Sequence, residues 1–226
     1  MNRVERLAVA RRCATREHAV VHRVAALLLD YPSADVVALL PTVRAALEEV
    51  RPELAAPLRR AVEHLEATPV DRLERDYVTT FDLQRRCSLF LTYFAYGDTR
   101  KRGVALVEFK QAYRRAGFEV AEAELPDHLA VVLEFAATAP DDEARATGIA
   151  LLLAHRAGLE LLRLALLDAG SPWADVVASV SATLPPLAGE DREAVARLAA
   201  EGPPDEDVGL EPFATTPEMP LTGARR

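Results

Sequence analysis

Hydrophobic residues recur every three or four positions along most of the chain, which is the spacing of amphipathic helices. A first run begins near Glu17 and stops at residues 30–32, and a second follows Ser33, a residue type that caps helix N-termini. Pro52 and Pro69 open two more runs. The later of these carries an apolar stripe formed by Val70, Leu73, Tyr77 and Phe81. The pattern therefore predicts successive helices with one apolar face each.

The central apolar segment, residues 88–96, reads SLFLTYFAY and is too short and uniform for its period to separate a strand from a buried helix. We predict a helix there because the neighbouring patterns are helical. Asp98 is predicted to cap a helix that stops at Gly117. Pro126 and Pro140 are predicted to open two further helices.

The apolar run at residues 148–170 is interrupted by charged residues, which predicts a core helix and not a membrane span. Two shorter helices are predicted near residues 173–184 and 191–201. From residue 202 onward, prolines and acidic residues occur without an apolar period, which predicts a disordered acidic, proline-rich tail.

The expected fold is all-α, a single-domain helical bundle. A chain of 226 residues with 50% hydrophobic content can bury one sizeable core, and 6% aromatic content favours helices over a sandwich or barrel. We assign residues 1–16 to a flexible N-terminus, residues 17–201 to the helical domain and residues 202–226 to the tail.

The net charge of −8 makes nucleic acid and anionic lipid unfavourable partners, because the field of the whole molecule repels phosphates. The N-terminus lacks the continuous apolar segment of a secretory signal or membrane span. We therefore expect a cytoplasmic protein that does not insert into the membrane.

Candidate catalytic and metal chemistry is sparse. His18 and His22 are four residues apart and could share a helix face, with Cys13 or Asp30 as further ligands, but no strong third ligand accompanies them, so we predict no metal site. Cys13 and Cys87 have no metal or redox spacing. The chain lacks a hydrolase nucleophile motif, a dinucleotide glycine pattern and a phosphate-binding loop. We predict a protein that is not an enzyme and has no cofactor of its own.

Aromatic residues are concentrated in one stretch: six of the thirteen lie between residues 77 and 96. Core packing explains any single ring, whereas a set this dense also suits a groove for an amphipathic helix of a partner. Three cations follow at Arg100, Lys101 and Arg102, which either bind an anion or lie on a solvated helix face. Asp127 and His128 sit at the predicted helix start, where capping and surface recognition explain them better than catalysis.

Three segments carry a resemblance to a known family: LLLDYPS, YVTTFDLQRRCSLFLTYFAYGDTRKRGVALVEFKQAYRRAGFE and ELPDHLAVVLEFAA. In order and spacing, over roughly residues 20–140, they resemble the NarJ family, the assembly chaperones of respiratory nitrate reductase. The central block is specific because GDTRKRG lies within a long continuous match. The acidic, proline-rich tail departs from the family pattern.

The resemblance implies a helical cytoplasmic chaperone of the TorD-like type. Its implied client is the apo form of the catalytic α subunit of nitrate reductase, bound through an N-terminal leader and held ready for insertion of molybdenum cofactor. Proteins that deliver this cofactor are implied as further partners. On this basis we predict a client-binding surface made of Glu74, Asp76, Tyr77, Phe81, Phe90, Tyr93, Asp127 and His128.

Two alternatives stay open from the sequence. One is a helical chaperone whose client is another molybdoenzyme. The other is a helical protein that binds a nucleotide or cofactor through Arg100, Lys101 and Arg102. These three cations match the family's GDxRxRG segment, which either shapes the fold or contacts the client or cofactor.

Overall fold

The protein is all-α, as predicted. The computed structural model describes residues 1–97, 99–121, 124–187 and 189–201, and within these ranges it has thirteen α-helices and no strand. The helices are α1 Arg3–Cys13, α2 Arg16–Leu28, α3 Ala34–Ala38, α4 Leu40–Ala46, α5 Pro52–Ala67, α6 Val70–Tyr77, α7 Tyr93–Tyr96, α8 Arg100–Arg115, α9 Leu129–Thr138, α10 Asp142–Ala154, α11 Arg156–Asp168, α12 Trp173–Ala182 and α13 Gly189–Glu201. None of these helices is long and apolar enough to cross a bilayer.

Helix α2 is at the centre of the bundle. It packs against α9 on one side and against α5 and α12 on another. Helix α10 packs against both α9 and α1, and α11 packs against both α12 and α13. The buried apolar residues form one continuous cluster that extends from Ala10 to Leu184, so the described helices share a single core.

At several helix starts, a side-chain oxygen accepts a hydrogen bond from a backbone N–H group that the first turn leaves unpaired. Ser33 caps α3 as predicted, Thr15 caps α2 and Asp141 caps α10. Asn2 and Glu5 form a reciprocal capping box at the start of α1. The chain thus specifies these boundaries locally.

The N-terminus differs from its predicted flexible state. Residues 1–16 contain the helix α1, which packs on α10 and buries Ala10 completely. Arg11 donates two hydrogen bonds of 2.9 Å to the Glu143 carboxylate. Capping and contacts with α10 stabilise this helix. Its apolar residues show little helical periodicity, so the sequence pattern did not predict it. The predicted tail, residues 202–226, lies outside the described residues.

The apolar run at residues 148–170 was predicted as one helix, but the structure divides it between two helices. It breaks at His155, which leaves the helical conformation and separates α10 from α11. Another local departure is the π-helical turn Val78–Asp82, which extends α6 and carries Phe81 into the core.

Two glycines give a matched test of this packing. A Cβ atom added at Gly148 would lie 2.8 Å from the Cα atom of Ala136, because α9 and α10 pack closely there. We expect Gly148→Ala to lower the free energy of unfolding by about 1–3 kcal/mol. Gly103→Ala, in α8, meets no atom within 4 Å and should raise it by about 0.5–1 kcal/mol. Urea denaturation measures both, and equal effects of one sign would contradict the close packing.

Candidate functional site

Two loops join to form one wall of the candidate site. Phe90 and His128 form an isolated antiparallel bridge. The Leu91 N–H donates to the Asp127 carbonyl at 3.1 Å, and the Leu129 N–H donates to the Leu89 carbonyl at 2.8 Å. The rings of Phe90 and His128 meet edge to face, with centroids 5.4 Å apart. The prediction of a helix over residues 88–96 is therefore wrong for its first half, because pairing with a distant loop satisfies the backbone there.

A buried polar cluster supports this wall from behind. Asp127 and Thr92 are both fully buried. The Thr92 hydroxyl donates to Oδ2 of Asp127, and the Thr92 N–H donates to the same oxygen at 3.3 Å. Arg102 reaches the cluster from α8, with its Nε donating to the Thr92 hydroxyl oxygen at 3.1 Å and a guanidinium nitrogen 3.6 Å from Oδ2. We call these three residues the Asp127 cluster.

The segment before α9 also corrects the sequence interpretation. Pro126 does not open a helix: residues 126 and 127 form a turn, and α9 begins at Leu129 with His128 at its N-cap position. The Pro126 carbonyl accepts a hydrogen bond of 2.6 Å from the Tyr113 hydroxyl. Asp127 is 0% exposed, so its side chain lies behind the wall and not on the surface of the cleft, and its contact with a client stays a prediction.

Arg102 links the basic segment to the wall. Its guanidinium carbon lies 5.2 Å from the centroid of the Phe90 ring, within the range of a cation–π contact. Arg100 and Lys101 are exposed, so the three cations predicted as one group divide between an internal and an external position.

A cleft of about 490 Å³ lies in front of the wall, and the term "cleft" below refers to this feature. Its sides are α2 and α9, and its floor contains Tyr77 and Phe90. The apolar lining residues are Ala26, Leu27, Tyr31, Tyr77, Phe90, Leu125, Ala130 and Val131. Such a cleft favours apolar side chains of a partner over a fully solvated ligand.

The polar lining of the cleft is predominantly acidic. Among the described lining residues, Asp30, Glu124 and Glu134 contribute carboxylates and Arg23 contributes a cation. Arg23 pairs with Glu134, whereas Asp30 and Glu124 are exposed and form no ion pair with another described residue. The cleft therefore combines an apolar floor with two carboxylates available to a cation.

His128 occupies the edge of the cleft. Burial lowers the pKa of its imidazole, and the nearby carboxylates of Asp127 and Asp30 oppose this shift. The ring is therefore mainly neutral at pH 7, when it presents an apolar edge to Phe90.

Tyr77 joins the cleft to the core. Its hydroxyl donates to the Leu29 carbonyl at 3.0 Å, and burial raises its pKa. Its ring lies 5.5 Å from that of Tyr31 on the cleft side and 5.7 Å from that of Trp173 on the core side. The phenol is thus neutral and fixed in position.

The predicted client-binding residues divide into three groups. Tyr77, Phe90 and His128 line the cleft, and Asp127 lies behind it. Phe81 and Tyr93 belong to the core: Phe81 packs on Trp173 at 5.3 Å and Tyr93 on Phe94 at 5.9 Å. Glu74 and Asp76 are not among the lining residues, and Asp76 lies 3.6 Å from Arg72 in an ion pair.

Sequence reasoning missed the acidic side of the cleft. Asp30 and Tyr31 lie within the LLLDYPS segment, and Glu124 opens the ELPDH segment, so both quoted motifs contained the signal. The missing information was that α2 and α9 are neighbours.

The two spaced histidines have other contacts. His18 Nδ1 lies 2.8 Å from the Cys13 carbonyl oxygen, and His22 Nε2 lies 2.8 Å from the Thr183 hydroxyl oxygen. Across the part of the chain that the structure describes, no group of three or more His, Cys, Asp or Glu residues is placed to hold a metal ion.

The described part of the chain is thus an all-helical bundle with an apolar, acidic-edged cleft. Residues 44–179 match the family described as the nitrate reductase delta subunit, and the chain belongs to this family.

Named relatives agree with this membership. The chain is 41% identical over 165 residues to the nitrate reductase-like protein NarX of Mycobacterium tuberculosis, which covers 73% of the chain and 24% of that protein. It is 36% identical over 119 residues to the probable nitrate reductase molybdenum cofactor assembly chaperone NarJ of Bacillus subtilis, covering 52% of the chain and 65% of the relative. The corresponding NarJ of Escherichia coli is 38% identical over 76 residues, with 34% and 32% covered. The chain thus spans less than two thirds of the length of each of these relatives.

Proposed function

We propose that the chain is an assembly chaperone for a nitrate reductase. It binds the N-terminal leader of the apo catalytic α subunit in the cytoplasm and holds that subunit ready for insertion of molybdenum cofactor. The names of the Bacillus and Escherichia relatives, which are assembly chaperones and not catalysts, support the general role. The observation that carries the leader-binding step is the cleft, because its apolar floor and acidic edge fit an amphipathic, basic helix.

The apolar contribution comes from Tyr77, Phe90 and Leu125. Tyr77 and Phe90 form the floor, and Leu125 is 41% exposed at the rim. Burial of about 300 Å² of apolar surface contributes on the order of 8 kcal/mol before ordering costs. The entropy lost by the leader leaves a net affinity nearer micromolar.

The electrostatic contribution comes from Asp30 and Glu124. These carboxylates are exposed and attract leader cations, and this attraction weakens above ~0.1 M salt, where the Debye length is about 10 Å. Apolar contacts do not share this salt dependence. The two contributions are therefore separable by titration at two ionic strengths.

Glu124→Gln tests the electrostatic contribution. We expect a loss of about threefold in affinity for a synthetic α-subunit leader at low salt, and a smaller loss at high salt. Leu125→Ser should weaken binding by a similar factor at both salt concentrations. Calorimetric titration measures the affinities, and Asp71→Asn in α6, which changes the net charge equally at an exposed site outside the cleft lining, is the matched control.

Three peptides decide the identity of the client. A leader from a different molybdoenzyme should bind at least tenfold more weakly than the α-subunit leader, and a scrambled peptide of equal charge should show only salt-sensitive association. Equal binding of both leaders would support a chaperone for another client. Unchanged affinity in both Glu124→Gln and Leu125→Ser would contradict the cleft as the binding site.

Leader binding should also depend on pH through His128. Protonation of this imidazole adds a cation beside a cationic ligand, so affinity should fall as pH decreases through its pKa. Because burial lowers that pKa, the change falls below pH 6.5, and affinity should be flat between pH 7 and pH 8. The charged side chains that line the cleft around His128 are Asp30, Glu124, Glu134 and Arg23. In His128→Gln the loss of affinity on acidification below pH 6.5 should be absent, which the same titration measures.

A further inference from the structure

Helix α8 carries a charge opposite to that of the molecule. It contains six cations and one acid, Glu108, in a chain whose net charge is −8. Both lysines of the sequence, Lys101 and Lys110, lie on it. Positive charge is therefore concentrated on one element.

Five of these cations face solvent and form no ion pair with another described residue. Arg100, Lys101, Lys110, Arg114 and Arg115 are all exposed, and none forms an ion pair within the described chain. Several exposed arginines on other elements do form such pairs, as Arg11 does with Glu143, Arg60 with Asp175 and Arg86 with Asp168. Like charges this close repel one another in the free protein. An anionic partner would relieve that repulsion.

The same face exposes apolar side chains. Val104 and Val107 are 67% and 50% exposed, while the aromatic residues of the helix, Phe109 and Tyr113, are buried on the opposite face. At 100° per residue, Val104 and Val107 lie near the centre of the outward face, with cations on both flanks. The outward face of α8 is thus basic and amphipathic.

We propose that the outward face of α8 docks on an anionic phospholipid surface. The cations meet headgroup phosphates, and Val104 and Val107 enter the layer between headgroups and acyl chains without any helix crossing the membrane. The proposal is independent of the cleft. The acidic remainder of the protein does not prevent docking, because the Debye length at physiological salt is about 8 Å and screens charges that lie farther from the surface.

A membrane fits this face better than a nucleic acid or a small anion. A single convex helix does not enclose a small molecule, and bases would need exposed aromatic rings to stack on, whereas Phe109 and Tyr113 point into the core. A flat anionic surface can contact the cations on both flanks of the helix together. Exposed valines between the cations add an apolar contact that phosphate alone would not use.

Vesicle co-sedimentation of the full chain tests the proposal. Vesicles of phosphatidylcholine with 30% phosphatidylglycerol should retain the protein at least tenfold more strongly than pure phosphatidylcholine vesicles, and raising the salt concentration should weaken retention. Lys110→Glu/Arg114→Glu should reduce retention at least tenfold. Val104→Ser/Val107→Ser should reduce it severalfold at low and high salt alike.

The matched control separates the local face from the net charge. Arg192→Glu/Arg197→Glu, on exposed positions of α13, changes the net charge by the same amount and should leave retention within twofold of the wild type. Circular dichroism checks that each variant keeps its helical content. No retention of the wild type, equal loss in the α13 variant, or tighter binding to duplex DNA of equal phosphate concentration than to vesicles would each overturn the proposal.

Discussion

Asp127→Ala is expected to lower the free energy of unfolding by about 3 kcal/mol. The change removes the acceptor of two donors on Thr92, its hydroxyl and its N–H, and Thr92 is fully buried. Each buried donor left without an acceptor costs about 1–3 kcal/mol, and the attraction to Arg102 is lost as well. Urea denaturation at pH 7 measures the change.

Asp127→Asn separates these contributions. The amide oxygen of asparagine can still accept from Thr92, so we expect about half the loss seen for alanine. Asp168→Ala is the matched control: this carboxylate pairs with Arg86 at the surface, where such pairs contribute about 0–1 kcal/mol. A loss in Asp127→Ala no larger than that of the control would contradict the role of the Asp127 cluster.

The burial of Asp127 also changes what its substitution should do to leader binding. A buried carboxylate supports the wall of Phe90 and His128, so Asp127→Asn should weaken binding without altering its salt dependence. Direct contact with leader cations predicts a reduced salt dependence instead. Titration of the leader at two salt concentrations distinguishes the two outcomes.

Acidification should destabilise the protein through His22. The Thr183 hydroxyl donates to the Val180 carbonyl at 2.7 Å, which assigns its oxygen as the acceptor for the N–H at Nε2 of His22. Its Nδ1 is buried and has no hydrogen-bond partner among the described residues. Burial therefore lowers the pKa of His22 to about 3.

The direction of this pH effect on stability follows from the difference in the pKa of His22 between the folded and unfolded states. The unfolded chain takes up a proton at His22 near pH 6.5, whereas the folded protein does so only near pH 3, so stability falls as pH decreases between these values. His22 alone should remove about 3 kcal/mol between pH 7 and pH 4. His155, whose pKa burial lowers to about 4, adds a loss in the same direction, and this loss is smaller because the pKa shift is smaller than that of His22.

His22→Gln keeps a donor for Thr183 and removes the titrating group. Its free energy of unfolding should depend less on pH between pH 7 and pH 4 than that of the wild type, whatever its absolute stability. His64→Gln, at a half-exposed position in α5, is the control for replacing a histidine with glutamine. Parallel curves for wild type and His22→Gln would exclude His22 as the source.

Local signals in the sequence were sufficient for most helices. Caps such as Ser33 and prolines such as Pro52 act on the residues beside them, so their meaning does not depend on the rest of the fold. The aromatic stripe was also found, although most of its rings proved to be core: Tyr77 and Phe90 reach the cleft, whereas Phe81 and Tyr93 do not line it.

The parts that could not be predicted depend on contacts between distant residues. The sequence predicts the same position, at a helix start, for the adjacent residues Asp127 and His128. Asp127 nevertheless points inward, because Thr92 and Arg102 provide its partners. Residues 88–91 have no periodicity that indicates their pairing with the loop before α9. The acids of the cleft come from α2 and from the loop before α9, which meet only in the folded bundle.

The cleft is built from residues that lie far apart in the chain, which limits when it can form during biosynthesis. Residues of the cleft are distributed from Arg23 to Glu134, so the site is incomplete until this whole stretch has left the ribosome. At ~5–20 residues per second, synthesis of about 110 residues takes roughly 5–20 s. On the proposed function, a leader that emerges nearby during this interval finds no complete cleft on the nascent chaperone. Recognition of newly made clients then falls to copies of the protein that were finished earlier, so we expect a reserve of completed chaperone to precede its client.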